Sequence, residues 1–152
     1  MKSSVVVLVT LAACGGDGGG PGGADGCSFA VELGGAITAS FSATAATSCA
    51  AANDLGGDPI IVFYPEHATL MRFDLEFTAA DVGKTGPGIA GDLAIITKSG
   101  AVWDTECTFD LARWEGTGGS QRLAGTASCP MPAEPDTGTM TIDVGPIAFD
   151  MF

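Results

Sequence analysis

From Cys27 onward, apolar and polar residues alternate with a period of two, the signature of strands with one buried face. Cys27, Phe29, Val31 and Leu33 share one face, and Ser28, Ala30 and Glu32 the other. Gly34-Gly35 signals a turn, and Ile37 to Cys49 is a second run rich in Ser, Thr and Ala. Pro59 to Tyr64 is a short, continuous apolar run bounded by prolines, which predicts a buried strand. The cleanest alternation lies in Thr69 to Phe77. It sends Met71, Phe73, Leu75 and Phe77 one way, and Leu70, Arg72, Asp74 and Glu76 the other.

Residues 78–91 read as a long loop opened by a helical turn at Thr78 to Asp81. Leu93 to Thr97 predicts another strand, and Ser99-Gly100 turns the chain. Trp103, Thr105, Cys107, Phe109 and Leu111 then keep one parity along a longer strand. Arg122 to Cys129 returns after the glycine-rich turn at 116–119. Thr139 to Val144 and Ile147 to Met151 close the chain, with Gly145-Pro146 as a bulge between them. No stretch long enough for a core helix shows the 3.6-residue period. The expectation is an all-β domain over residues 27–152: an antiparallel β-sandwich or jelly-roll-like barrel of about eight short strands. An α+β fold with one helix near residues 44–54 is the alternative.

The chain before Cys27 carries no such pattern. An apolar run from Val5 to Ala13 follows Lys2, and its nine residues are too few to span a bilayer as a helix, which takes about 20. They suit the apolar region of an export signal. The run ends Leu11-Ala12-Ala13-Cys14. This resembles the lipobox of bacterial lipoproteins: Leu, two small residues, then Cys. The resemblance implies a signal peptide of residues 1–13, cleavage before Cys14, a diacylglyceryl thioether on its sulfur and acylation of the new amine. Small side chains let a peptidase close on the backbone, and a thiolate is the nucleophile that takes the lipid. Gly15 after the lipidated cysteine implies passage to the outer membrane. An ordinary secretory signal with a chance cysteine is the other reading. The resemblance covers only the first 14 residues. Residues 14–26 contain no apolar side chain larger than Ala beyond Cys14 and Pro21, so they predict a flexible tether.

Charge narrows the partners. From Cys14 on, five of the six basic residues and all 18 acidic ones remain, a net charge of −13. Nucleic acid is excluded as a partner, because phosphate binding needs a basic patch. Membrane contact is expected through the lipid on Cys14, and beyond it an unknown protein or glycan partner.

Five cysteines are odd for an exported chain, and lipidation of Cys14 leaves four. Cys27 and Cys49 are separated by the same interval as Cys107 and Cys129, and their flanks echo each other. Each pair brackets strand, glycine-rich turn, strand. Of the three connectivities, Cys27–Cys49 with Cys107–Cys129 is expected, each as a hairpin staple contributing about 3 kcal/mol. Bridges between sheets are the alternative. The chain has no Cys-x-x-Cys spacing, so no structural zinc site is expected.

The chemistry is sparse. His67 is the single histidine and follows Glu66 between two predicted strands, where it reads as surface rather than as an acid–base couple. Serine-hydrolase, zinc-protease and phosphate-loop motifs are missing, so no catalytic residue, metal or cofactor is expected. Asp74 with Glu76, and Asp104 with Glu106, each share a strand face and read as solvated outer faces; Asp54 and Asp58 are a further neighbouring pair. The alternative is a calcium site at these carboxylates, or a glycan site using Trp114 as an exposed stacking ring while Trp103 sits in the core. The reading is a membrane-anchored, exported lipoprotein whose non-catalytic β-domain binds or builds at the cell envelope; the alternative is a calcium- or glycan-binding module.

Overall fold

The alternating stretch at Cys27 forms strand β1, Cys27–Gly35. Its odd-numbered face is buried at Phe29, Val31 and Leu33. The computed structural model describes residues 26–42 and 48–151; residues 1–13, Cys14 and most of the tether lie outside them. The strands that follow are β2 Ala39–Phe41, β3 Ser48–Asn53, β4 Pro59–Tyr64, β5 Leu70–Glu76 and β6 Gly86–Thr97. After them come β7 Val102–Glu115, β8 Arg122–Ser128, β9 Glu134–Pro135, β10 Ile142–Val144 and β11 Ile147–Met151. Every pairing is antiparallel, in the order β10-β1-β11-β8-β7-β6-β5-β4-β3, with β2 on β1 and β9 on β7. The helical alternative fails at β3, which runs in register with β4 from Ser48 opposite Tyr64 to Asn53 opposite Pro59.

β10 and β11 are one strand interrupted at Gly145-Pro146, since both pair with the same edge of β1. The Gly145 N–H donates to the Glu32 carbonyl at 2.8 Å, so the bulge keeps contact with its partner. With the stubs β2 and β9 set aside and β10–β11 counted as one, eight main strands remain among the described residues, in line with the about eight that the pattern predicts.

The two faces of the all-β domain belong to one sheet that curls on itself. The ring of Phe29 on β1 lies 4.8 Å from Phe63 on β4 and 4.8 Å from Phe73 on β5, although these strands share no ladder with β1. Phe149 on β11 likewise meets Phe63 and Phe109, each at 6.2 Å. Burying such rings contributes roughly 1.5–3 kcal/mol each. Two glycines allow the strands to come this close. A Cβ at Gly91 would lie 2.5 Å from the Glu76 carbonyl and 2.9 Å from the Phe109 ring; one at Gly125 would press on the Asp110 carbonyl.

Bulges correct two sequence expectations. An irregularity between Leu70 and Arg72 turns Leu70 into the core and leaves Met71 exposed, the reverse of the predicted faces. A second, between Leu111 and Arg113, carries Trp114 to the inner face, where it is 6 % exposed. There it packs 5.1 Å from Phe77 and its Nε1–H donates to Gln121 Oε1 at 3.1 Å. The loop expected at 78–91 gives way at Gly86, where β6 begins opposite Leu111.

Both disulfides pair as expected, and they do different work. Cys107–Cys129 staples neighbouring strands at the open end of the β7–β8 hairpin, with Cα atoms 4.2 Å apart. Cys27–Cys49 is not a hairpin staple. It ties β1 to β3, which share no backbone ladder, with Cα atoms 6.3 Å apart.

Candidate functional site

Strands β5, β6 and β7 lie side by side, and their outward residues fall into rows. Glu76 stands opposite Asp92, and Asp92 opposite Glu106. In the next row Asp74 stands opposite Ala94, Ala94 opposite Asp104, and Asp104 opposite Glu134 of β9. Six carboxylates therefore share one patch of sheet. Like charges directly opposite one another on a sheet are destabilising. Arg72 is the basic residue of this patch among the described residues, and its Nη2 lies 3.0 Å from Asp74 Oδ2.

Asp74 is not on a solvated face, as its strand position had suggested. It is 4 % exposed, flanked by Val62 of β4 and Ala94 of β6, both themselves buried. One of its oxygens, Oδ1, has no hydrogen-bond partner among the described residues, and neither has Arg72 Nε. Burial pushes the Asp74 carboxyl up to about 6 against the pull of Arg72, and Asp104 adds to the rise. Burial pushes Glu76 up to about 7, helped by the charges of Asp74, Asp104, Asp92 and Asp54. Asp104 is raised by burial and then by Asp136 and Asp92. The other predicted pair is split: Asp104 is half-buried, while Glu106 is exposed.

At one end the array opens into a recess of about 130 Å³ lined by Asp54, Asp58, Glu76 and Asp92, with Pro59, Ile60 and Phe77 as apolar wall. Two of these acids hold the local turns. Asp54 Oδ1 accepts from the N–H groups of Gly56 at 2.7 Å and Asp58 at 2.8 Å, and Asp58 Oδ1 accepts from Ala79 N–H at 2.7 Å. No group of three or more His, Cys, Asp or Glu among the described residues converges closely enough to hold a metal ion.

His67 serves the backbone. Its Nδ1 accepts from the N–H groups of Thr69 at 3.2 Å and Leu70 at 3.1 Å, which caps the entry to β5, and its ring packs on Phe41. Trp103 packs on the core and its Nε1–H donates to the Met140 carbonyl at 2.9 Å. A wider groove of about 710 Å³ crosses the outer face of β7, β8, β11 and β1 between Phe41, Pro87 and Pro146. Its floor is of small residues such as Ala30, Thr126 and Ala148, with Glu32 and Asp110 as its acids. The four domain cysteines are taken up in disulfides, and Cys14 lies outside the described residues.

Sequence reasoning found the pairs Asp74/Glu76 and Asp104/Glu106 and missed Asp92 and Glu134 as their neighbours. No local signal marks those two, because cross-strand register makes them neighbours. Compared with protein-family models, curated proteins and solved structures, the chain finds no match.

Proposed function

We propose that this chain is an exported lipoprotein, with lipid on Cys14, a glycine-rich tether over residues 14–26 and a non-catalytic β-domain serving a binding role at the cell envelope, on the outer membrane. The observation that supports it is the pairing of all four domain cysteines. Such bonds persist in oxidising compartments, and the fifth cysteine of the sequence, Cys14, is the one in the Leu-Ala-Ala-Cys setting. A binding rather than catalytic role is supported by His67, whose Nδ1 is engaged in capping a turn. It is supported equally by a sheet face that gathers like charges at a cost to the free domain.

The test is fractionation of cells expressing the protein and its Cys14→Ala form. The parent is expected in the detergent-soluble membrane fraction, and Cys14→Ala is expected to be released or left unprocessed. Recovery of Cys14→Ala among the membrane lipoproteins would sink the proposal.

A calcium-binding module is the second reading; its carboxylates are Asp54, Asp58, Glu76 and Asp92, which line one recess but do not converge on a point in the described structure. Thermal melting with calcium and with EDTA decides it. A ligand held by the folded state at a hundredfold its Kd adds about 2.7 kcal/mol of stability, so a flat melting temperature removes this reading.

A further inference from the structure

The two disulfides close loops of equal length, yet each leaves its thiols in different surroundings once the bond is cut. Cys107 and Cys129 lie one step beyond Thr108 and Ser128, at the end of a ladder that runs on to Glu115 opposite Arg122. Cys107 is held from its other side as well, opposite Gly91 of β6. With the bond cut, the ladders keep the two sulfurs facing each other at high effective concentration, which favours re-closure. Cys107 is also 4 % exposed, which shields one of the two sulfurs from an attacking thiolate.

Cys27–Cys49 has neither protection. Both of its cysteines are half-buried, and their strands share no backbone ladder among the described residues. β1 is firmly placed, with Cys27 opposite Met151 of β11. β3 is not. All six of its residues are at least partly exposed, its one strand partner is β4, and its middle is Ala50, Ala51 and Ala52, which bury little apolar area. Away from the bridge, a single side-chain hydrogen bond from Gln121 Nε2 to Asn53 Oδ1 fixes its far end. Cutting the bridge therefore lets Cys49 move away from Cys27. Separation lowers the effective concentration of the thiols and favours the reduced form.

We propose that Cys27–Cys49 is a redox latch: a dithiol reductant opens it in the folded protein and frees the edge of β3, while Cys107–Cys129 stays closed as a structural staple. Two exchanges carry the step. A thiolate of the dithiol attacks one sulfur of the bridge, the S–S bond breaks, and the other cysteine leaves as a thiolate and takes a proton. The second thiol of the reductant then loses its proton and attacks the mixed disulfide, which releases the remaining cysteine and leaves the reductant as its own disulfide. Two electrons and two protons pass to the latch. The outcome is local, because β1 keeps its ladder with β11 and the core around Phe29 stays covered. What opens is a row of backbone donors and acceptors along β3, the kind of edge that templates pairing with another strand. The latch does not depend on the lipid at Cys14.

The probe is dithiothreitol, itself a dithiol. The full-length protein in detergent is equilibrated at neutral pH with graded ratios of reduced to oxidised dithiothreitol, quenched with acid and alkylated, and each cysteine is read by peptide mapping. Hydrogen exchange and near-ultraviolet circular dichroism are followed on the same samples. Cys27 and Cys49 are expected to open at a ratio about tenfold or more below the one that opens Cys107 and Cys129, since the ladders hold only the second pair of thiols together. Exchange in β3 is expected to rise at that first step, with β7 and β8 still protected and the near-ultraviolet signal kept. Opening of both bridges together, or of Cys107–Cys129 first, overturns the proposal. So does loss of the near-ultraviolet signal at the first step, which would make reduction a consequence of unfolding. Reduction of Cys27–Cys49 that leaves β3 as protected as before overturns it too, because the bond would then hold nothing in place.

Discussion

Cys27 and Cys49 join two strands that exchange no backbone ladder: β1 is tied to β3, the last strand of the sheet path. The bridge spans the seam where the curled sheet meets itself. At its other end β3 is held by the β7–β8 hairpin tip, where Gln121 Nε2 donates to Asn53 Oδ1 at 3.3 Å. An open strand edge is a template for unwanted pairing, and this one is pinned at both ends.

The two bridges close loops of the same separation, 22 residues, so by unfolded-chain entropy each contributes about 3 kcal/mol. Their local effects differ. Cys27→Ser/Cys49→Ser is expected to raise hydrogen exchange in β3 well before global unfolding. Cys107→Ser/Cys129→Ser is expected to leave β3 protected, because β7 and β8 remain paired by their ladder. Exchange measured by mass spectrometry checks this, and equal β3 protection in both variants refutes the seam.

The carboxylate array makes stability fall as pH rises. Asp74 and Glu76 hold protons more tightly folded, at about 6 and about 7, than their ordinary values of 3.8 and 4.5. The native state therefore binds more protons between about pH 4 and 7, and stability is lost as pH climbs through that window. With allowance for solvent at Glu76, the loss between pH 5 and 8 is about 2 kcal/mol. Urea melts at the two pH values measure it. Glu76→Gln is expected to flatten the profile and to stabilise the domain at pH 8.

Gly91→Ala is expected to destabilise by about 1–3 kcal/mol, since the added methyl meets both the Glu76 carbonyl and the Phe109 ring, and a packed interior yields little. Gly100→Ser is a different case: the glycine has a φ of +87° but open space around it, so its cost comes from backbone strain alone. Denaturant midpoints of the two variants against the parent provide the check.

Gln121 is 1 % exposed and accepts from Trp114 Nε1–H. Gln121→Leu leaves that indole donor buried without its partner, at an expected cost of about 1–3 kcal/mol. Gln121→Glu keeps an acceptor and is expected to keep more of the Trp114 fluorescence signature. The emission maximum and the urea midpoint together test the contact.

The sequence by itself determined the strands and the cysteine pairing. Period-two alternation is a local property, so Phe29, Val31 and Leu33, or Cys107, Phe109 and Leu111, could be placed on an inner face from their own neighbours. Equal spacing and echoing flanks were enough to pair Cys27 with Cys49 and Cys107 with Cys129. Only the tertiary structure decided the rest. A bulge is an extra residue counted against a partner strand, so it has no signature in one strand alone. Those near Met71 and Ala112 reversed the faces of Leu70 and Trp114. Register likewise belongs to pairs of strands. It set Asp92 between Glu76 and Glu106, and buried Asp74 between Val62 and Ala94. It also turned one of two equally spaced disulfides into the closure of the sheet, because which strands end up adjacent depends on the curl of the whole sheet and not on the residues between the cysteines.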